Sequence, residues 1–178
     1  MTINLEQLNC ANRHVTNEMD ALALWSSRMC QVDVWLVPFA WDCYGWQEYG
    51  SDGSICIPQV SLARLGSYIP YWGSPGYTLR DVLHHEWAHA LAFHHHDLVS
   101  RKSFKRAFDG DHDGEDEFVH DPEIHTTKYA ATDPSEDFAE NFMHYVRCRG
   151  VLPRKWQTPS IAKRWRFITE LRGRVGRL

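Results

Sequence analysis

The spacing of apolar and polar positions predicts four helices. Apolar residues recur every three or four positions, the period of one helix face, in residues 15–30, 78–95, 133–150 and 159–173. The second segment begins at Thr78, a good N-cap residue. The third begins at Asp133, followed by Pro134 at the first helical position, and ends at Gly150. We therefore expect these two helices to have sharp boundaries.

Two segments rich in β-branched and aromatic residues predict a small sheet between the first and second helices. They span residues 32–40 and 54–62, and the turn signal Ser-Asp-Gly precedes the second one. Because Pro58 has no backbone N–H, we expect the second strand to lie at an edge of the sheet. The order helix, small sheet, three helices predicts an α+β fold class. The length of 178 residues favours a single domain, residues 1–178.

Composition and charge exclude several classes of partner. The chain is 43% hydrophobic and 24% charged, as is typical of a soluble globular protein. Its net charge of −4 gives no reason to expect binding to a nucleic acid. No apolar run approaches the ~18 residues of a transmembrane helix, so we expect no membrane partner. We expect a monomer.

The N-terminus and the cysteines bear on the compartment. The first residues lack the basic and apolar segments of a signal peptide. The five cysteines form no Cys-x-x-Cys pair, although Cys43 and Cys56 flank a possible hairpin and could pair across it. These features favour a cytoplasmic protein, or an effector secreted by a route that needs no signal peptide.

The sequence “HEWAH”, residues 85–89, fits the pattern His-Glu-x-x-His. Residues four positions apart lie one turn apart on the same face of a helix, so His85 and His89 can reach one metal ion. Glu86 lies about 100° around the helix from His85. There it can contact a metal-bound water without ligating the metal, and we predict that it acts as a general base.

Two residues compete to be the third ligand, because a catalytic zinc takes three protein ligands and a water. His95 stands at the third histidine of a metzincin-like pattern, but Ala92 replaces the glycine that lets the chain turn there. If the helix instead continues through His94, His95 lies about 15 Å from His85 along the helix axis. The alternative third ligand is Glu136.

The segment “EDFAE”, residues 136–140, places Glu136 and Glu140 on one face of the third predicted helix. A His-Glu-x-x-His helix followed by such a helix resembles the gluzincin metallopeptidases. The Glu-x-Phe-Ala-Glu pattern and its distance from His89 are similar to those of the anthrax lethal factor-type metallopeptidases. The segment also resembles small bacterial zinc metallopeptidases with a Glu-Asp-x-Ala-Glu motif. The resemblance covers residues 78–146.

This resemblance implies a zincin-like metallopeptidase fold, with an edge strand over the His-Glu-x-x-His helix and a second helix that carries the third ligand. It implies one Zn²⁺ per chain, held by His85, His89 and Glu136. Glu140 would accept a hydrogen bond from a ligating histidine. Tyr129, seven residues before Glu136, would stabilise the oxyanion. The implied function is an endopeptidase of narrow specificity that hydrolyses a protein or peptide substrate with metal-activated water.

Two neighbouring features have more than one interpretation. His144 continues the face of Glu136 and Glu140, and either lines the substrate pocket or is an ordinary buried or surface histidine. The segment from Asp109 to Gly114, “DGDHDG”, matches the first half of a calcium loop, but His120 stands where a bidentate Glu is required. We expect an acidic surface loop there rather than a Ca²⁺ site.

Two functions outside the peptidase class stay open. A non-catalytic zinc-binding interaction module would use the same ligands, although it would have no use for Glu86. A His-rich metal buffer would bind more than one metal ion per chain.

Overall fold

Six helices and three strands form the part of the chain that the computed structural model describes, residues 2–39, 44–48, 50–61, 77–114 and 116–175. The helices are α1 (Leu5–Ala21), α2 (Leu79–His94), α3 (His96–Val99), α4 (Lys102–Phe108), α5 (Pro134–Arg147) and α6 (Pro159–Val175). The strands are β1 (Asp33–Val37), β2 (Gly45–Gln47) and β3 (Ser54–Pro58). The predicted α+β class is confirmed. None of the described helices is long and apolar enough to cross a membrane.

The first helix begins and ends earlier than the apolar spacing predicts. A capping box starts it: the Asn4 side chain accepts the backbone N–H of Gln7, and the Gln7 side chain accepts that of Asn4. Ala23 has φ 54° just after the helix, a value incompatible with its continuation. Residues 27–31 form a separate 3₁₀ turn. The prediction of one helix over residues 15–30 is therefore wrong at both ends.

β3 is the central strand of the described sheet, in the order β1-β3-β2. It pairs in parallel with β1 and antiparallel with β2. The prediction that Pro58 places this strand at an edge is wrong, because Pro58 is its last residue and removes only the terminal donor. The next residue, Gln59, donates its N–H to the carbonyl of Val37 at 2.9 Å instead. Cys43 lies outside the described residues, and with it the possible pairing to Cys56.

α2 and α5 begin where the sequence predicts because their caps are encoded locally. Thr78 and Asp81 form a capping box at α2. The Asp133 carboxylate accepts the backbone N–H groups of Ser135 and Glu136 at the start of α5. The two helices make the most extensive contact between any two of the described helices. That contact brings the His-Glu-x-x-His segment against residues 136–140.

Between α2 and α5 the chain forms two short helices that the sequence did not predict, α3 and α4, and then the acidic segment. The aspartates of this segment pair with basic groups of neighbouring elements. Asp109 accepts hydrogen bonds from Lys163 at 2.8 Å and Arg164 at 3.4 Å. Asp111 accepts one from Lys105 at 2.7 Å. These pairs tie the start of the segment to α6 and α4.

Candidate metal centre

Three side chains of metal-ligand type meet where α2 packs against α5. One atom each of His85, His89 and Glu136 lies within 4.8 Å of the other two. His85 Nε2 is 3.2 Å from His89 Nε2 and 2.9 Å from Glu136 Oε2. His89 Nε2 is 3.5 Å from the same oxygen. These three residues could hold one metal ion.

The hydrogen bond on the far side of His85 decides which ring nitrogen faces the cluster. His85 Nδ1 lies 2.9 Å from Glu140 Oε1, and the carboxylate can only accept. A neutral His85 therefore carries its proton on Nδ1 and presents the lone pair of Nε2 towards His89 and Glu136. Hydrogen-bond acceptors that converge in this way fit a divalent cation.

The carboxylates around His85 increase its affinity for a proton. Burial alone would lower the pKa of His85, but hydrogen bonds with Glu136 and Glu140 raise it well above its usual value. Burial would raise the pKa of Glu136, but the charge of His89 and hydrogen bonds from both histidines hold it far below its usual range. A metal ion must therefore displace the proton from His85, so metal binding competes with protons.

Glu140 binds the ring nitrogen of His85 that faces away from the cluster, and its own side chain is 1% exposed. Its second oxygen, Oε2, accepts the hydroxyl of Tyr77 at 2.6 Å. Burial would raise the pKa of Glu140, but its hydrogen bond with His85 lowers it. The ionised carboxylate therefore fixes both the tautomer and the ring orientation of His85.

Glu86 lies beside the cluster as a buried carboxylate, 2% exposed. Its Oε2 accepts the backbone N–H of Trp46 at 2.6 Å. Its Oε1 is also buried and has no hydrogen-bond partner among the described residues. Burial raises the pKa of Glu86, although the charges of His85 and His89 act to lower it. A poorly solvated carboxylate with one unused acceptor oxygen is well suited to accept a proton.

A cleft of about 620 Å³ opens over the cluster. Gly45 and Trp46 of β2 line it together with the three ligand residues. Tyr129, from a 3₁₀ turn just before α5, also lines the cleft, and its ring stacks on that of His85 with centroids 5.6 Å apart at 26°. The structure thus brings Tyr129 beside the cluster.

Two sequence candidates lie elsewhere. His144 is 6% exposed, packs on Trp156 with ring centroids 4.3 Å apart, and is not among the residues that line the cleft. His95 is fully buried, with Nε2 2.7 Å from Ser26 Oγ. Because α2 continues through His94, His95 lies past the end of the helix and contributes no atom to the three-residue cluster.

Sequence reasoning missed two contributors to the cleft. The backbone N–H of Trp46 leaves no signature in a sequence, since every residue except proline has such a group. His112 and Asp113, from the acidic segment, also line the cleft. The Asp113 carboxylate lies 2.8 Å from His112 Nδ1 and 2.8 Å from His96 Nε2. The clustering of His and Asp in “DGDHDG”, together with its place between the two ligand helices, is a usable signal for such a contribution, beside the cleft and without calcium.

No family model, curated protein or solved structure matches this chain.

Proposed function

We propose that this protein is a zinc-dependent endopeptidase with a zincin-like arrangement. The observation that carries the proposal is one group of four side chains at the cleft, of which His85 and Glu86 are buried and His89 and Glu136 are half-buried. The ligand atoms of His85, His89 and Glu136 converge within 4.8 Å, and the Glu86 carboxylate lies beside them in an open cleft. Two histidines and one carboxylate with room for a further ligand form a donor set typical of catalytic zinc.

His85, His89 and Glu136 would hold the Zn²⁺ ion. Bound there, Zn²⁺ would lower the pKa of a water molecule from about 16 towards about 7 and would polarise a substrate carbonyl. Glu86 accepts the proton of the attacking water on Oε1, because Oε2 is already held by the N–H of Trp46. Glu86 then returns the proton to the leaving amine.

The cleft walls supply orientation and charge stabilisation for the peptide. The hydroxyl of Tyr129 donates a hydrogen bond to the developing oxyanion of the substrate. The edge strand beside the cleft is β2. It is a terminal strand of the described sheet, and its residues Gly45 and Trp46 line the cleft. An extended peptide would lie along β2, between this strand and the ligand residues, and would leave the Trp46 N–H bound to Glu86.

The geometry favours this function over its competitors. A non-catalytic zinc module has no need of a buried carboxylate with an unused oxygen beside the ligands. A metzincin-like site would need His95 as the third ligand, and His95 is instead engaged with Ser26. A metal buffer would need further ligand clusters, and the described residues hold the one cluster above.

A cleavage assay on a peptide library with the metal-loaded protein tests the proposal. We expect cleavage that a chelator abolishes and that Zn²⁺ restores. Glu86→Gln should keep one zinc per chain and lose cleavage, whereas Glu123→Gln, the same change on an exposed residue away from the cleft, should behave as wild type. His95→Ala should leave the zinc content unchanged.

Three results would count against the proposal. Wild-type cleavage rates in Glu86→Gln would exclude the mechanism. One bound zinc without any cleavage would support the interaction module. Two or more tightly bound metal ions per chain would support the buffer.

A further inference from the structure

β2 holds the Glu86 carboxylate through a single backbone group, the N–H of Trp46. This strand has three residues and pairs only with β3 in the described sheet. So short a ladder fixes a strand weakly. The accurate placement of the Trp46 N–H therefore needs a further support.

The indole of Trp46 supplies that support by packing on the end of α2. Its ring centroid lies 5.4 Å from that of Phe93 and 6.5 Å from that of His94. Its Nε1 has no hydrogen-bond partner among the described residues, so packing alone holds the ring. Phe93 lies about two turns after Glu86 on the same helix. The indole thus ties β2 to the helix that carries the base.

Gly53 packs against the six-membered ring of the Trp46 indole. A Cβ at Gly53 would lie within 3.0 Å of three carbons of the Trp46 six-membered ring. The turn that carries Gly53 is also tied to α2, since His94 Nε2 lies 3.0 Å from the carbonyl oxygen of Asp52. The indole is therefore enclosed between Gly53 and the end of α2, with no space for a side chain at position 53.

A second glycine in the same turn offers a matched comparison. Gly50 has φ +64° and Gly53 has φ +68°, so both occupy the left-handed region that favours glycine. No atom of the described residues lies within 4 Å of the Cβ position at Gly50. Alanine would therefore meet the same backbone strain at either position, but only at Gly53 would it displace the indole.

We propose that Gly53 and the Trp46 indole are positioning residues for Glu86. The indole, seated between Gly53 and Phe93, holds the Trp46 N–H where it binds Glu86 Oε2 and leaves Oε1 as the oxygen that accepts the proton. This inference rests on the proposed peptidase function, in which Glu86 is the catalytic residue. Trp46 and Gly53 act only through it.

Steady-state kinetics with the zinc-loaded protein test the proposal. Gly53→Ala should lower kcat by roughly 10- to 100-fold, the effect of a small misplacement of a reacting group, with KM and zinc content unchanged. Gly50→Ala should keep kcat within about twofold of wild type, since its Cβ meets nothing. In the Gly53→Ala background, Trp46→Phe removes the overlapping ring atoms and should recover part of the lost kcat. Wild-type kcat in Gly53→Ala, equal losses in both alanine variants, or no recovery in the double variant would overturn the proposal.

The amide proton of Trp46 gives a readout that needs no catalysis. A hydrogen bond to a carboxylate moves an amide proton downfield, so Glu86→Gln should shift this resonance upfield. Gly53→Ala should shift it in the same direction, and Gly50→Ala should leave it in place. An unchanged resonance in Glu86→Gln or Gly53→Ala would refute the positioning contact. If the resonance responds as expected while the wild type cleaves no peptide, the contact stands and the proposed function fails.

Discussion

Glu140 and His85 share a buried hydrogen bond of 2.9 Å between a carboxylate oxygen and Nδ1 of the ring. The other oxygen of Glu140 accepts the hydroxyl of Tyr77 at 2.6 Å, so both oxygens are engaged inside the protein. His85 is therefore oriented before any metal arrives. Such preorganisation lowers the entropy that metal binding must overcome, and it makes Glu140 a determinant of affinity although it is not a ligand.

Glu140→Gln should weaken zinc binding by about 10- to 100-fold, the range for loss of a partner behind a ligating histidine. The amide is neutral and cannot stabilise the Nδ1-protonated ring as the carboxylate does. Competition against a fluorescent chelator measures the affinity. Tyr77→Phe should have a smaller effect, because it leaves the bond between Glu140 and His85 intact. Unchanged affinity in Glu140→Gln would show that the bond does not tune the metal.

Tyr129→Phe should lower kcat by about 10²- to 10³-fold if the hydroxyl stabilises the oxyanion. The ring stacks on His85, and phenylalanine keeps that packing, so KM and zinc content should change little. Tyr145→Phe is the control, because it removes a buried hydroxyl that contacts Thr169 instead of the cleft. Equal activity of Tyr129→Phe and wild type would remove Tyr129 from the mechanism.

The cleft should prefer cationic peptides. No Lys or Arg is among the described residues that line it, whereas Glu48 and Asp113 are. Hydrogen bonds from His112 and His96 lower the pKa of Asp113, so its carboxylate is charged at neutral pH. A cleft lined by one sign of charge concentrates ligands of the other sign.

Peptides with Lys or Arg near the scissile bond should therefore be cleaved faster than matched peptides with Glu or Asp, and added salt should reduce the difference. Asp113→Lys should lower kcat/KM for the basic peptide. Asp20→Lys, the same charge change on α1, should not. A preference for acidic peptides would be inconsistent with this view of the cleft.

His144 should make stability depend on pH. Burial lowers its pKa from 6.5 to about 4. As pH falls below 6.5, His144 binds a proton in the unfolded chain. In the folded chain it does so only near pH 4. The folded state therefore loses stability as pH falls through this window, and the contribution of the neutral ring is complete above it.

His144→Phe removes that titration, so its free energy of unfolding should fall less between pH 7 and pH 5 than that of wild type. Urea unfolding at the two pH values, on protein freed of metal by chelation, measures the difference. His14→Gln, which changes an exposed histidine of α1, should keep the wild-type pH dependence. If His144→Phe follows the wild-type curve, the His144 ring does not titrate in this way.

The local features of this protein follow from residues that are close together in the sequence. Thr78 and Asp133 start α2 and α5 because a cap depends only on residues within one turn. The i, i+4 spacing puts His85 and His89 on one helix face, and the 3.6-residue period does so in any tertiary context. The capping box at Asn4 is equally local, and it starts α1 ten residues before the predicted start at residue 15.

Other features depend on contacts between distant segments, and these are set by the fold. The packing of α2 against α5 selects Glu136 rather than His95 for the cluster, because a ligand must reach across an interface that the sequence does not encode locally. Strand order is likewise set by pairing between segments, so Pro58 could not reveal that β3 lies in the centre of the sheet. The Trp46 N–H that holds Glu86 is a backbone group, and its role exists only where the fold places it.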